Sequence, residues 1–334
     1  MTSTHAFFCV TSPSVDVYET AAAPFAFILQ FFMGESLVVM PVASLLTLAS
    51  EVEVATTERE LTFISMTARC GSTLLCQMTS RLPGVEVISE PWSLEHLHAD
   101  FLAGKFEMGE YKRRIAAAVR LQCKSGARHT VIKLPVVCAP QFVLLKELFP
   151  RAKLVFITRH PGASANSLHK VFSTFPAVQH YLGIGAKFWV ENLPFPYDDK
   201  DLTALRRSYA PFSKWYWAKD SEMWPYGYGG ALLCFLRNRD IYDFVVTYED
   251  LKENVGERTV ELLRILGLDK KGNADLALAA LQTHSQGEMF GASGKASISE
   301  RELREQDESY RRIGLPDVSN FMEMKDFQYL VYGE

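Results

Sequence analysis

The 334-residue chain predicts an α/β fold in three layers, a parallel sheet between two layers of helices. Three observations point there. Short apolar runs alternate with helical stretches from residue 61 onward, the pattern of parallel strands joined by crossovers. Residues 61–75 run from a buried strand through Thr67-Ala68-Arg69-Cys70-Gly71-Ser72-Thr73 into a helix. Residues 153–167 repeat that strand–loop–helix pattern around Arg159-His160-Pro161-Gly162.

Taken in order, residues 1–58 form an expected N-terminal helical segment packed on the core, and residues 59–334 the α/β domain. The apolar stretch 21–49 is interrupted by Pro24, Gln30, Gly34, Glu35 and Pro41, so each continuous piece is too short to cross a bilayer. Residues 1–58 carry no Lys or Arg, which a signal peptide or anchor would place beside its apolar run. No membrane span is expected, and the expected compartment is the cytoplasm.

Residues 61–66 read as the first core strand and 72–81 as its helix, which Leu82-Pro83-Gly84 ends. A second strand follows at 85–89, one helical stretch at 94–122 and a third strand at 130–134. Residues 141–148 read as a helix, 153–158 as the fourth strand and 161 onward as a helix. Residues 172–240 break the alternation with an insertion rich in aromatics, among them Trp189, Trp215, Trp217, Trp224, Tyr226 and Tyr228. It reads as a small separate core, or as a lid over an acceptor pocket at the sheet edge. A last strand at 244–248 leads into an amphipathic helix, and the acidic run 300–308 reads as a solvated helix face.

A net charge of −4 argues against non-specific nucleic-acid binding, so any anion site must be a local cluster of positive groups. The six cysteines lack metal-type spacing, and a chain of this size needs no disulfide, so they read as thiols and no metal site is expected. The loop 67–73 is such an anion cluster. First-turn amides and the positive helix end face the loop, Arg69 adds a forked charge, and Ser72 and Thr73 add hydroxyls. A nucleotide-kinase loop would carry Gly-Lys-Ser/Thr, whereas Gly71 precedes Ser72 here and no lysine lies between Arg59 and Gln77. Arg159 at a strand end and Ser167 eight residues later on the next helix can converge on one phosphate.

These two segments resemble the fingerprints of sulfotransferases that use 3′-phosphoadenosine 5′-phosphosulfate. Arg69-Cys70-Gly71-Ser72-Thr73 matches an Arg-Ser-Gly-Ser/Thr-Thr loop, and Arg159, Pro161 and Ser167 match Arg-x-Pro with a helical serine. Tyr248-Glu249-Asp250-Leu251 matches a third stretch common in that family. The resemblance spans about residues 62–295 and looks closer to the carbohydrate and trehalose type than to the cytosolic steroid and phenol type. Departures stand at Ala68, Cys70 and Gly162, where the family often has proline, serine and a basic residue.

The resemblance implies a P-loop-NTPase-like sheet and a metal-free donor whose product is adenosine 3′,5′-bisphosphate. It assigns Arg69, Cys70, Gly71, Ser72, Thr73 and Leu74 to the 5′-phosphosulfate, and Arg159 and Ser167 to the 3′-phosphate. Tyr248 joins the nucleotide contacts, as do Ser285 and Lys295 on a glycine–serine loop that relatives fold over the nucleotide. Arg69 also counts among the catalytic groups. Lys133 ends an apolar strand; it either snorkels beside the sheet or stabilises sulfuryl and bridge oxygens. Glu90 in Ser89-Glu90-Pro91-Trp92 is the candidate general base, or else it caps the following helix; His96, His98 and His169 come second.

The expected activity is sulfuryl transfer to a hydroxyl of a small-molecule or carbohydrate-like acceptor. Beyond that acceptor, the partners expected are no nucleic acid and a second copy of the chain as a homodimer. The alternatives are a P-loop-like nucleotide kinase or NTPase, marked by magnesium-dependent ATP turnover, and a nucleotide-binding relative without transfer activity.

Overall fold

The computed structural model describes residues 4–15, 33–56, 60–102, 104–123, 127–174, 220–282, 299–312, 315 and 323–333. The N-terminal segment departs from the all-helical expectation. Strands β1 (His5–Thr11) and β2 (Gly34–Pro41) pair antiparallel, from His5 opposite Pro41 to Thr11 opposite Gly34. Helix α1 (Val42–Thr56) follows and packs on α4 (Met108–Gln122). Leu37-Val38-Val39-Met40 is aliphatic and partly β-branched, so it suits a pleated strand as well as a helix. No helix among the described residues is long and apolar enough to cross a membrane.

Five strands then form one parallel sheet: β3 (Glu60–Met66), β4 (Val85–Ser89), β5 (His129–Lys133), β6 (Lys153–Thr158) and β7 (Phe244–Thr247). Their order is β4-β5-β3-β6-β7, so β3 lies at the centre and each neighbour is reached by a crossover. Both faces are covered. Ile64, Met66, Val87, Val131, Val155, Ile157 and Val246 pack against α2 (Ser72–Ser80), α9 (Val255–Ile265) and α10 (Asn273–Ala279). Phe63, Ile88, Ile132 and Leu154 face α3 (Trp92–Leu102), α4 and α5 (Gln141–Leu148). A strand buried on both faces reads as a continuous apolar run, which is why these segments were legible.

The stretch expected as one helix over 94–122 is two, α3 and α4, broken beside Gly104, whose φ of +70° only glycine adopts without strain. Both ends of the expected insertion 172–240 fall in described helices. Helix α6 (Pro161–Thr174) runs into it, and α7 (Asp220–Arg237) leaves it as part of the core. Tyr228, Leu232 and Phe235 of α7 are fully buried, and Phe235 stacks on Phe156 of β6 at 4.0 Å between centroids. The rest of the proposed insertion, 175–219, lies outside the described residues. The acidic run is not wholly solvated. In α11 (Glu300–Arg312), Leu303, Asp307 and Tyr310 are buried, and the helix packs on α7. Two short helices complete the fold, α8 (Tyr248–Glu253) after β7 and α12 (Met324–Tyr332) at the end.

The register sets up the site. Met66 pairs with Ile157, so the loops after β3 and β6 leave the sheet side by side. Ser89 pairs with Lys133, so Glu90 emerges next to the last residue of β5.

Candidate active site

Two adjacent strand-end loops are stitched together at the carboxyl edge of the sheet. Thr67 Oγ1 and Thr158 Oγ1 share a hydrogen bond of 2.9 Å. Ser164 Oγ donates to the Ala68 carbonyl at 2.5 Å, and Arg159 Nη1 donates to the Arg69 carbonyl at 3.4 Å. Tyr228, arriving from α7, donates its hydroxyl to the Arg159 carbonyl at 2.5 Å and lies 3.3 Å from Thr158 Oγ1. Arg69 Nε donates to Ser167 Oγ at 3.1 Å, so the guanidinium turns toward α6. Burial, and then the nearby Arg159 charge, hold the Arg69 guanidinium below its ordinary pKa. Two positive groups crowded in this way favour an anion between them.

The loop ends at Gly71, the N-cap of α2, with φ +87°. A side chain is excluded there on two counts. The left-handed backbone suits glycine, and a Cβ would lie 2.5 Å from Tyr248 Cδ2. The Tyr248 ring therefore lies against the loop, and Arg159 stacks over it with Cζ 4.6 Å from the centroid. Glu249 lies 3.8 Å from Arg159 Nε and accepts from the His160 amide at 3.3 Å, which caps the start of α6. Ser72 Oγ donates to Met66 Sδ at 2.7 Å, and Cys70 is fully buried. Burial pushes the Cys70 thiol up to about 11, so it stays protonated at neutral pH. Leu74 is half-buried and packs on the apolar cluster beneath the loop.

On the other side of α2, Lys133 is buried and its Nζ lies 2.9 Å from Glu90 Oε1 and 3.3 Å from Thr73 Oγ1. Burial alone would push the lysine down. The Glu90 charge and the nearby Cys76 offset this, so the ammonium is held above its ordinary range. Lys133 thus does not snorkel out beside the sheet. Glu90 donates its own amide to the Lys133 carbonyl at 2.7 Å. Among the described residues, Arg69 (φ 59°) and Glu90 (φ 54°) are the two non-glycine residues with left-handed backbone. Each such residue costs about 1–2 kcal/mol, and strain of this kind concentrates where side chains must be aimed.

The structure therefore links Arg69, Arg159, Ser167 and Tyr248 in one group, and Thr73, Lys133 and Glu90 in a second. Ser285 and Lys295 lie outside the described residues, as does the His169 side chain. His98 is buried, its Nδ1 2.7 Å from the Tyr111 hydroxyl; burial pushes it down to about 3. That suits a packed neutral imidazole. His96 is exposed, at 5.7 Å from the Trp92 ring.

Sequence reasoning missed Glu95, in the first turn of α3. Burial, then the Glu90 charge, push its carboxyl up to about 8. It also missed Thr67, Thr158, Ser164, Tyr228 and Glu249 as connectors. Ser164, one helix turn before Ser167, had a positional signal; Tyr228 had none. Among the described residues no group of three or more His, Cys, Asp or Glu side chains is placed to hold a metal ion.

No protein-family model matches the sequence, and no curated protein matches it. Among solved structures, the chain is similar to a sulfotransferase from Alicyclobacillus acidocaldarius, at 14% identity over 76% of this chain and 92% of that one, TM-score 0.36. It is similar to mouse sulfotransferase SULT7A1 complexed with PAP, at 15% identity over 87% and 89%, TM-score 0.36. It is also similar to sulfotransferase STF1 from Mycobacterium tuberculosis, at 14% identity over 75% and 80%, TM-score 0.39.

Proposed function

We propose that this chain is a sulfotransferase that moves the sulfuryl group of 3′-phosphoadenosine 5′-phosphosulfate to a hydroxyl of a small-molecule or carbohydrate-like acceptor. The observation that carries the reading is the stitched pair of loops, which sets two guanidiniums and Ser167 together at the carboxyl edge of the sheet. That arrangement suits a ligand with anionic groups at two ends rather than one. A single terminal phosphate chain would need a lysine in the loop, and the loop has none.

The fit of the donor rests on three features. Gly71 lets the Tyr248 ring lie against the loop, where a Cβ would meet it. The first-turn amides of α2 have no intrahelical acceptors and point at the loop. The crowded arginines supply charge for a phosphate. When bound, the donor supplies an activated sulfuryl group on a phosphate leaving group.

On this reading Glu90 takes the acceptor hydroxyl proton onto its carboxylate as the new O–S bond forms. Lys133, 2.9 Å from Glu90, neutralises charge on the bridge oxygen, where the electron pair of the breaking S–O bond comes to rest. Thr73 orients the ammonium from 3.3 Å. The free thiols of all six cysteines suit a reducing compartment such as the cytoplasm.

The test is calorimetric binding of adenosine 3′,5′-bisphosphate and of adenosine 5′-monophosphate, followed by transfer of labelled sulfate to a panel of acceptors. Preference for the bisphosphate together with transfer supports the assignment. Equal affinity, or magnesium-dependent ATP hydrolysis, overturns it.

A further inference from the structure

We infer that Tyr332 of α12 is a positioning residue for the nucleotide site, holding the start of α8 so that the Tyr248 ring stays against Gly71 and beneath Arg159. This rests on the functional reading above and deepens it by naming what braces that ring.

The Tyr332 hydroxyl makes two bonds, both to the turn that carries the ring. It accepts from the Thr247 amide at 3.0 Å and donates to Asp250 Oδ2 at 2.9 Å. Those two residues flank Tyr248 and Glu249. Thr247 is also the cap of α8, its Oγ1 accepting from the Asp250 amide at 3.2 Å, so one phenol grips both sides of the cap. β7 stands at the margin of the sheet and Thr247 is fully buried. The hydroxyl therefore takes an amide that has no further strand to pair with.

The same helix reaches the loop after β6. Phe327, fully buried, packs edge-on against the His160 ring at 5.6 Å between centroids, and His160 follows Arg159. α12 thus touches the chain neighbours of both members of the Arg159–Tyr248 stack. The His160 amide on the Glu249 carboxylate closes the circuit between the two segments. Phe327 and Val331 anchor the helix in the apolar core and the Tyr332 ring packs beside them, which leaves its hydroxyl for the α8 turn. Tyr332→Phe keeps the ring and its packing; it removes the two bonds alone, strands the Thr247 amide and lets the start of α8 shift.

The experiment is calorimetric binding of adenosine 3′,5′-bisphosphate to the full chain in the wild type, Tyr332→Phe, Tyr248→Ala and the double variant. Ile115→Val, fully buried in α4 on the other face of the sheet, is the control for plain destabilisation. Tyr332→Phe should lose about 5–10-fold, because a ring that spends less time in place lowers the apparent affinity by that fraction. Ile115→Val should melt lower yet bind within about 2-fold of the wild type. The double variant should bind within about 2-fold of Tyr248→Ala, since a brace does nothing once the ring is gone. Three results overturn the inference while the functional reading stands: wild-type affinity in Tyr332→Phe, an equal loss in Ile115→Val, or losses that multiply in the double variant. A wild type that binds the bisphosphate no better than adenosine 5′-monophosphate overturns the functional reading and this inference with it.

Discussion

Replacing Glu90 by Gln removes the counter-charge of a lysine buried from solvent, and the cost follows from the geometry. Lys133 is fully buried and sits 2.9 Å from Glu90, whose own side chain keeps 19% of its surface exposed. Removing one partner of a buried ion pair typically costs about 3–5 kcal/mol, because the other charge stays behind unpaired. Glu90 is partly solvated, so the lower end applies, about 3 kcal/mol, or about 4 °C in melting temperature for a chain of this size.

The pH dependence carries a sign that separates this cause from a general loss of packing. In the wild type the Lys133 pKa is raised, so its contribution is intact below the ordinary lysine value and fades only at more alkaline pH. In Glu90→Gln the burial effect remains without the Glu90 charge, so the folded-state pKa falls below the unfolded one. The unfolded chain then binds more protons, and stability rises with pH from neutrality toward about 10. The measurement is thermal melting of the wild type, Glu90→Gln and Glu90→Gln/Lys133→Met between pH 7 and pH 10. The double variant should regain most of the loss at pH 7, since no stranded charge remains, and both variants equally lack the Glu90 repulsion on Glu95. A single variant that melts like the double one at pH 7, with no rise toward alkaline pH, refutes the reasoning. Turnover in both variants should drop by about 10²–10⁴-fold, as expected when a general base is lost.

Two further outcomes follow from the same site. Glu95→Gln should stabilise the chain increasingly between pH 4.5 and pH 8, because the raised carboxyl contributes fully only below its unfolded pKa and loses that contribution as pH climbs through about 8. Melting at pH 8 should rise by an amount on the order of 3 kcal/mol, with almost no change at pH 4; a pH-independent gain would contradict this. Gly71→Ala should cost about 1–2 kcal/mol from the left-handed backbone, plus displacement of the Tyr248 ring that carries Arg159. Nucleotide affinity, read by calorimetry, should therefore fall further than melting does. Unchanged affinity would mean the ring is not part of the pocket.

The parallel strands were legible because each is a short, mostly apolar run buried in the sheet, as in 153–158. The two anion loops were legible because glycine, arginine and hydroxyl residues cluster at strand ends. The β1–β2 pair was not, since its register joins His5 to Pro41 across a long separation and neither strand alternates clearly. Tyr228 was hidden for a related reason. It meets Arg159 across 69 positions, inside a stretch whose aromatics read as a separate insertion. The burial of Glu95 and its coupling to Glu90 depend on how α3 sits on the sheet, which no local pattern encodes.

The Thr67–Thr158–Tyr228 links have a kinetic meaning. Loops tied to each other and to a buried helix cannot wander separately, so on the proposed reading a nucleotide meets these two loops already held together and loses little entropy in ordering them. Capture should then proceed in one step, at a rate set by collision and by salt rather than by a slow rearrangement of the protein.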